Sequence, residues 1–378
     1  LDLEFAVMTN TSTLHRRLNT LLALAASVAA ACQSSEPTKS AQDGASALRN
    51  TRVAIERPAS QLTFFAGELS AAELDELARV APNVRVVAGL SREQALERAN
   101  EAHGIDARFA SQEFLERASN VRWVQALSAG VDRYMSIEAL NDERVVLTNM
   151  RGAHGPAIAE HSFAMLLTLT RNLHVYAERQ ARGEWKRGAG ERPATALEGQ
   201  TMFVVGLGGI GSEIASRAHA FGMRVIATRR TSGERPSYVE RVGKPEDLLE
   251  FLREADVVAI CVPLTGETER MFDARAFAAL KPGAILINIA RGKVVDTAAL
   301  LAALDSGQLG GACLDVTDPE PLPTDHALWR AKNVVITPHV AADAQLTDER
   351  SWELLRDNLR RFGAGEPLLN VVDKQAGY

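Results

Sequence analysis

From Thr51 onward, short β-branched runs alternate with amphipathic stretches, and this alternation restricts the fold more than any other feature. RVAIE, LTFFAG, VRVVAG, VRWVQAL and VVLTN read as strands, while SAAELDELARVA and SREQALERA between them carry apolar residues at helical spacing. A long helical segment follows, PAIAEHSFAMLLTLTRNLHVYAERQARGEW, with Pro156 near its start. After the polar KRGAGERPATALEGQ a second series begins, with strand-like TMFVVGLG, RVIAT, DVVAICVPL, AILINIA, GACLDV and VVITPH. TDERSWELLRDNLRRFGAG reads as a final helix closed by Gly363. Such alternation predicts an α/β fold with two doubly wound parallel sheets, helices covering their faces. At 378 residues the chain favours two domains and can bury its cores without covalent staples.

A net charge of −6 excludes a general nucleic-acid binder, which needs a basic face. Cys261 and Cys313 lie in apolar runs, where a buried, inert thiol is expected; with Cys32 they offer neither a zinc site nor a disulfide framework, and no metal is expected. Residues 1–50 stand outside the fold. His15-Arg16-Arg17, the uncharged LNTLLALAASVAAA and small residues before Cys32 have the order of a signal peptide, and of a bacterial lipoprotein signal with the lipid on Cys32. The run is too short for a good membrane span. An exported or envelope-anchored form is the expectation, with a cytoplasmic enzyme starting at Met8 as the alternative.

The second series opens with FVVGLGGIGSEIASRAHAFG. Gly206, Gly208 and Gly211 have G-x-G-x-x-G spacing, directly after a strand and at the head of a helix. The first permits a tight turn, the second lets backbone approach a pyrophosphate, and the third lets helix and strand pack closely. The N–H groups of Gly209 and Ile210 at the helix start, with the helix dipole, would hold the phosphates. Ile214, Ala218 and Phe221 fall on one helical face, and Gly222 can cap its end. About 20 residues on, where an acid would hold ribose hydroxyls, stand Thr228, Arg229 and Arg230. A guanidinium there can pair with a 2′-phosphate, so the pattern points to NADP(H) ahead of NAD(H), with Thr228 as a further phosphate donor.

Ligands of open α/β sheets bind beyond the carboxyl ends of strands. After AILINIA comes Arg291, after GACLDV comes Glu320 in TDPEP, and after VVIT comes His339. Together they suit hydride transfer at a 2-oxo or 2-hydroxy acid. A guanidinium holds the carboxylate and polarises the carbonyl, an imidazole moves the hydroxyl proton, and a carboxylate orients the imidazole. Pro263 and Thr268 of PLTGET, and Ala290 before Arg291, lie on the same edge and join the expected cofactor-binding set.

These motifs resemble the D-isomer-specific 2-hydroxyacid dehydrogenase family. The match rests on GLGGIG, PLTGET, LINIARGKVVDTAALLAAL, GACLDVTDPEPLP and TPHVA. The resemblance implies that Arg291 binds substrate, that Glu320 partners His339, and that Asp315 faces the nicotinamide carboxamide. It also implies a carboxylate-binding loop at Leu127–Asp132, with Ser128, Ala129 and Gly130 in contact with substrate through backbone N–H groups. His154, often Asn in that family, becomes a candidate specificity residue. The implied plan is a substrate domain split between 51–152 and 343–378, a dinucleotide-binding domain over 153–342, and a homodimer joined by the long helical segment. The implied activity interconverts a small 2-oxo acid, of the glyoxylate or hydroxypyruvate kind, and its D-2-hydroxy acid. An NAD(H)-sensing corepressor-like protein and a formate- or phosphite-type dehydrogenase are the alternatives.

Overall fold

The computed structural model of the chain describes residues 61–188 and 193–378. RVAIE and the leader-like features of residues 1–50, Cys32 included, lie outside the described residues.

The first sheet takes β1 (Leu62–Phe65), β2 (Val84–Val87), β3 (Gly104–Asp106), β4 (Trp123–Gln125) and β5 (Val146–Thr148) in the order β2-β1-β3-β4-β5, all parallel. Its crossovers carry α1 (Ala71–Val80), α2 (Arg92–Glu97) and α3 (Gln112–Arg117). The start of α1 is written locally: Ser70 and Glu73 form a reciprocal capping box that satisfies two otherwise orphaned donors. β3 falls in HGID, a stretch too short to stand out by periodicity; its neighbours on both sides define it.

The expected single long helix is two. α4 (Gly155–Thr170) ends at Asn172, which adopts φ +57°, and α5 (Leu173–Ala181) restarts beyond it. Asparagine tolerates the left-handed conformation that breaks a helix ladder.

The second sheet collects β6 (Thr201–Val205), β7 (Arg224–Thr228), β8 (Arg241–Gly243), β9 (Val257–Ile260), β10 (Ala284–Asn288), β11 (Leu309–Leu314) and β12 (Val334–Ile336). The order is β12-β11-β10-β9-β6-β7-β8, again all parallel, so the strand order reverses between β6 and β9. Between these strands run α6 (Gly209–Ala220), α7 (Leu248–Leu252), α8 (Ala274–Ala279) and α9 (Thr297–Asp305). Alternate residues of the central strands bury both faces. Met202, Val204, Ala259 and Ile287 meet Phe163, Leu166 and Ile214, while Phe203, Val258 and Leu286 meet Phe251, Phe272 and Leu300. Ile214 and Ala218 are buried as the helix pattern requires; Phe221 is 42 % exposed and stacks on Phe163.

α10 (Gln345–Ala364) returns to the first sheet. Leu355, Leu359 and Phe362 pack with Leu77 of α1 and with Phe64 and Trp123, and the buried Asn358 donates to Gln125 Oε1 at 3.1 Å. The helix runs past Gly363, which lies inside it with a Cβ position 2.9 Å from Val84; Gly365, at φ +71°, is the cap. Cys313 is buried, neither described cysteine is in a disulfide, and burial pushes the Cys261 thiol up to about 12. Among the described residues no helix is long and apolar enough to cross a membrane, and no cluster of His, Cys, Asp or Glu has metal-site geometry.

Candidate active site

The glycine loop sits where β6 ends, at the reversal of strand order. Gly206 has φ +101°, and a Cβ there would press against the Cys261 carbonyl at 2.9 Å. A Cβ on Gly211 would overlap the Gly206 carbonyl, so the helix can lie this close to the turn only with glycine. A Cβ on Gly208 would meet nothing within 4 Å, so that side of the loop faces open space. Gly208 caps α6 without a side-chain hydrogen bond, and the first N–H groups, Gly209 and Ile210 among them, have no acceptor within the helix. These features fit a dinucleotide pyrophosphate laid across the loop.

Around this loop the other expected contacts divide. Thr228 is only 3 % exposed, and its carbonyl accepts the Gly206 and Leu207 N–H groups at 3.1 and 2.8 Å. Thr228 therefore supports the loop through its backbone. The Arg229 guanidinium turns back onto the carbonyls of Gly233 and Glu234, and Arg230 stands further out, 3.7 Å from Glu267. In PLTGET the Thr268 hydroxyl donates to the Pro263 carbonyl at 2.6 Å and receives the Thr265 N–H at 2.8 Å, which fixes the turn.

Arg291 begins the turn after β10. The buried Asn288 builds that turn, accepting the Ala290 N–H at 3.1 Å and donating to the Arg291 carbonyl at 3.0 Å. One Arg291 nitrogen donates to the Ala290 carbonyl at 2.7 Å. Its Nε and Nη2 both reach Asp132 Oδ1, at 3.0 and 2.9 Å. The guanidinium thus crosses from the second sheet to the loop after β4 and lies where a Cβ on Gly130 would be. Asp132 escaped the sequence reading as a functional side chain, because an acid in a loop carries no signal until its partner, 159 positions away, is folded against it.

That loop, Leu127–Asp132, has its carbonyls engaged. Ser128 Oγ donates to the Gly130 carbonyl at 2.7 Å, Asn149 Nδ2 to the Ala129 carbonyl at 2.9 Å, and Met150 N–H to the Ser128 carbonyl at 3.0 Å. The N–H groups of Ala129 and Gly130 have no acceptor among the described residues, so they remain available to an anion. Ser128 acts on the loop through its hydroxyl. His154 sits at the start of α4, partly covered, and burial holds its imidazole below the usual range although Asp348 pulls the other way. The next residue, Gly155, lies against the Gly209 carbonyl, so this helix begins beside the glycine loop.

His339 follows β12 with φ +58°. Its Nδ1 lies 2.7 Å from Glu320 Oε1, which leaves Nε2 to face a substrate. A neutral imidazole so placed carries its proton on Nδ1. The loop bearing His339 is gripped by Asp315, which is 2 % exposed. Asp315 accepts the Thr337 hydroxyl at 2.6 Å and the Val340 and Ala341 N–H groups at 3.0 Å each, and its carbonyl accepts the His339 N–H at 2.8 Å. Its carboxylate oxygens are therefore committed to the His339 loop, a task the expectation of a nicotinamide contact did not include. His161 of α4 reaches the same Thr337 hydroxyl at 2.9 Å. Thr337 spends its own proton on Asp315, so His161 Nε2 carries the hydrogen here, a further contact that the sequence did not announce.

Comparison with known proteins identifies the family. Residues 163–341 match the family described as "D-isomer specific 2-hydroxyacid dehydrogenase, NAD binding domain". The chain is 37 % identical over 297 residues to a glyoxylate reductase of Pyrococcus furiosus, an alignment covering 76 % of this chain and 87 % of that one. A solved D-isomer specific 2-hydroxyacid dehydrogenase from Xanthobacter autotrophicus, in complex with NADPH and MES, is similar at TM-score 0.71 and 32 % identity, covering 85 % of this chain and 100 % of that one. An NADPH-dependent glyoxylate/hydroxypyruvate reductase from Sinorhizobium meliloti, in complex with NADP and sulfate, is similar at TM-score 0.70 and 28 % identity, covering 84 % and 100 %. With a third of its residues shared over most of both chains, and with Arg291, Glu320 and His339 at adjoining strand ends, the chain belongs to the D-isomer specific 2-hydroxyacid dehydrogenase family.

Proposed function

We propose that the protein reduces a small 2-oxo acid of the glyoxylate or hydroxypyruvate kind to its D-2-hydroxy acid, using NADP(H) in preference to NAD(H). The reading is carried by the 2.7 Å His339–Glu320 pair, held on a clamped loop at the carboxyl edge of the sheet whose crevice holds the glycine loop. The relatives named glyoxylate reductase and glyoxylate/hydroxypyruvate reductase support the substrate class. The two neighbours solved with NADPH or NADP, together with Arg230 after β7, support the cofactor preference.

In this mechanism Gly208, Gly209 and Ile210 bind the cofactor diphosphate, and Ala290 with Pro263 and Thr268 shapes the wall beside it. The nicotinamide, when bound, supplies the hydride. Arg291 and the Ala129 and Gly130 N–H groups hold the substrate carboxylate, and Arg291 also polarises the carbonyl. His339 Nε2 delivers the proton to the developing alkoxide, while Glu320 stabilises the imidazolium through Nδ1. Asp132 holds Arg291 in line but shares its charge, so the substrate carboxylate takes up donors that Asp132 leaves free. The first sheet with α10 would form the substrate domain, the second sheet the dinucleotide domain, and α4 and α5 would join two copies.

The test is turnover by the purified protein on glyoxylate, hydroxypyruvate, pyruvate and phenylpyruvate, with formate and phosphite as controls, using both cofactors. His339→Ala is expected to lower kcat/KM by about a hundred- to ten-thousandfold with NADPH affinity nearly unchanged. Near-wild-type turnover by that variant would refute the assignment. Tight cofactor binding without turnover of any acid would instead favour a sensor.

A further inference from the structure

The two arginines after β7 are not equivalent. Arg229 gives its guanidinium to the carbonyls of Gly233 and Glu234, so it closes the loop that follows the strand. Arg230 has only a loose ion pair, 3.7 Å from a Glu267 carboxylate whose side chain is 82 % exposed. The guanidinium lies over an aromatic ring all the same: its Cζ is 4.4 Å from the centre of the Tyr378 ring.

Tyr378 comes from the other half of the fold. Val371 bridges Thr148 of β5, and the Val372 N–H donates to the Leu147 carbonyl at 2.9 Å. The Lys374 ammonium then donates to the carbonyls of Leu140 and Asp142, both at 2.8 Å. A tight turn closes with Gly377 N–H on the Asp373 carbonyl at 2.9 Å. That turn brings Gly377 beside Thr265, its Cβ position 4.0 Å from the threonine methyl, and sets the Tyr378 ring on Arg230. Residues 371–378 therefore form a strap, anchored on the first sheet and reaching the PLTGET turn and the arginine that follows β7.

We infer that Tyr378 is a specificity-determining residue for the cofactor, holding Arg230 by its face so that the guanidinium edge meets the 2′-phosphate of NADP(H). The physics lies in the shape of arginine. A ring stacked on the guanidinium leaves its N–H groups free in the plane, where a phosphate binds them in a fork. A long, exposed arginine otherwise loses rotamer freedom on binding, and ordering it beforehand lowers that cost. The Glu267 contact is loose enough to yield to a phosphate carrying more charge. The inference deepens the NADP(H) reading above and rests on it.

Calorimetric titration with adenosine 2′,5′-bisphosphate and with 5′-AMP separates the two. The wild-type chain is expected to bind the bisphosphate at least tenfold more tightly. Arg230→Gln should remove most of that preference. Tyr378→Ala should reduce it about three- to tenfold, the range of a partly desolvated cation–π contact. Tyr378→Phe should keep it, because the contact uses the ring face, and 5′-AMP affinity should stay level throughout. Equal binding of both ligands by the wild type would remove the NADP(H) reading itself. A preference present in the wild type and unchanged or strengthened in Tyr378→Ala would overturn the role of the strap alone. So would an equal loss of affinity for both ligands.

Discussion

Gly130 leaves no space between its backbone and the Arg291 guanidinium, and Asp132 takes two donors of the same side chain on a single oxygen. The arginine that would clamp substrate is thus aligned by a loop of the opposite half. Both side chains are a little over a quarter exposed, so solvent weakens the pair without dissolving it. Losing a charge-assisted tether of this kind costs about 1.5–3 kcal/mol. Asp132→Ala is accordingly expected to lower kcat/KM for the 2-oxo acid about ten- to hundredfold, with the NADPH dissociation constant moving less than twofold. Steady-state kinetics beside cofactor titration measures this, and an unaltered kcat/KM would show that Arg291 needs no such alignment. Arg291, Glu320 and His339 were legible beforehand because each follows a strand and each chemistry is distinctive. Asp132, Asn288 and His161 were not, since their roles exist only through partners brought near by the fold.

At the level of elements, long apolar runs were readable and local exceptions were not. Runs such as TMFVV and RVIAT stand out by their β-branched and aromatic residues, but β3 (GID) and β8 (RVG) carry one such residue each and owe their pairing to neighbours. The periodicity of 156–185 conceals its own break, because Asn172 keeps a helical pattern in sequence while adopting φ +57°. Gly363 reads as a cap by type, yet serves as a packing gap against Val84, with the cap two residues later. The start of α4 yields a pH prediction. Burial holds the His154 imidazole below the ordinary value of 6.5, so folding favours its neutral form. Its contribution is therefore complete above the unfolded pKa and is lost as pH falls through 6.5 toward the lower folded value. His154→Gln should make the urea midpoint less sensitive to acid between pH 7.5 and 5.5. An identical acid-induced decline in both proteins would assign the proton uptake elsewhere.

Across the whole molecule, the chain leaves the first sheet after β5 and comes back to it as α10. Buried polar groups at the junction of that helix with the sheet pair with one another: Trp123 donates to Thr148, Thr148 to Gln125, and Asn358 spans Gln125 and the Leu369 backbone. Periodicity predicted the last helix but could not say which sheet it joins; only the family resemblance implied the return. One element is little covered by the other described residues. α5 has nine residues and none of them is buried, and a helix that short is marginal in water without packing. It presents Leu173 at 50 % and Tyr176 at 39 % exposure, and Trp185, four residues beyond its end, is 100 % exposed. In the dimer proposed above, a second copy of the chain would bury this arm. The protein is expected to sediment as a dimer at micromolar concentration, and Leu173→Asp combined with Trp185→Ser should shift it toward monomer while the first-sheet core still melts cooperatively. A wild-type chain that stays monomeric across that range would leave α5 to be supported in some other way.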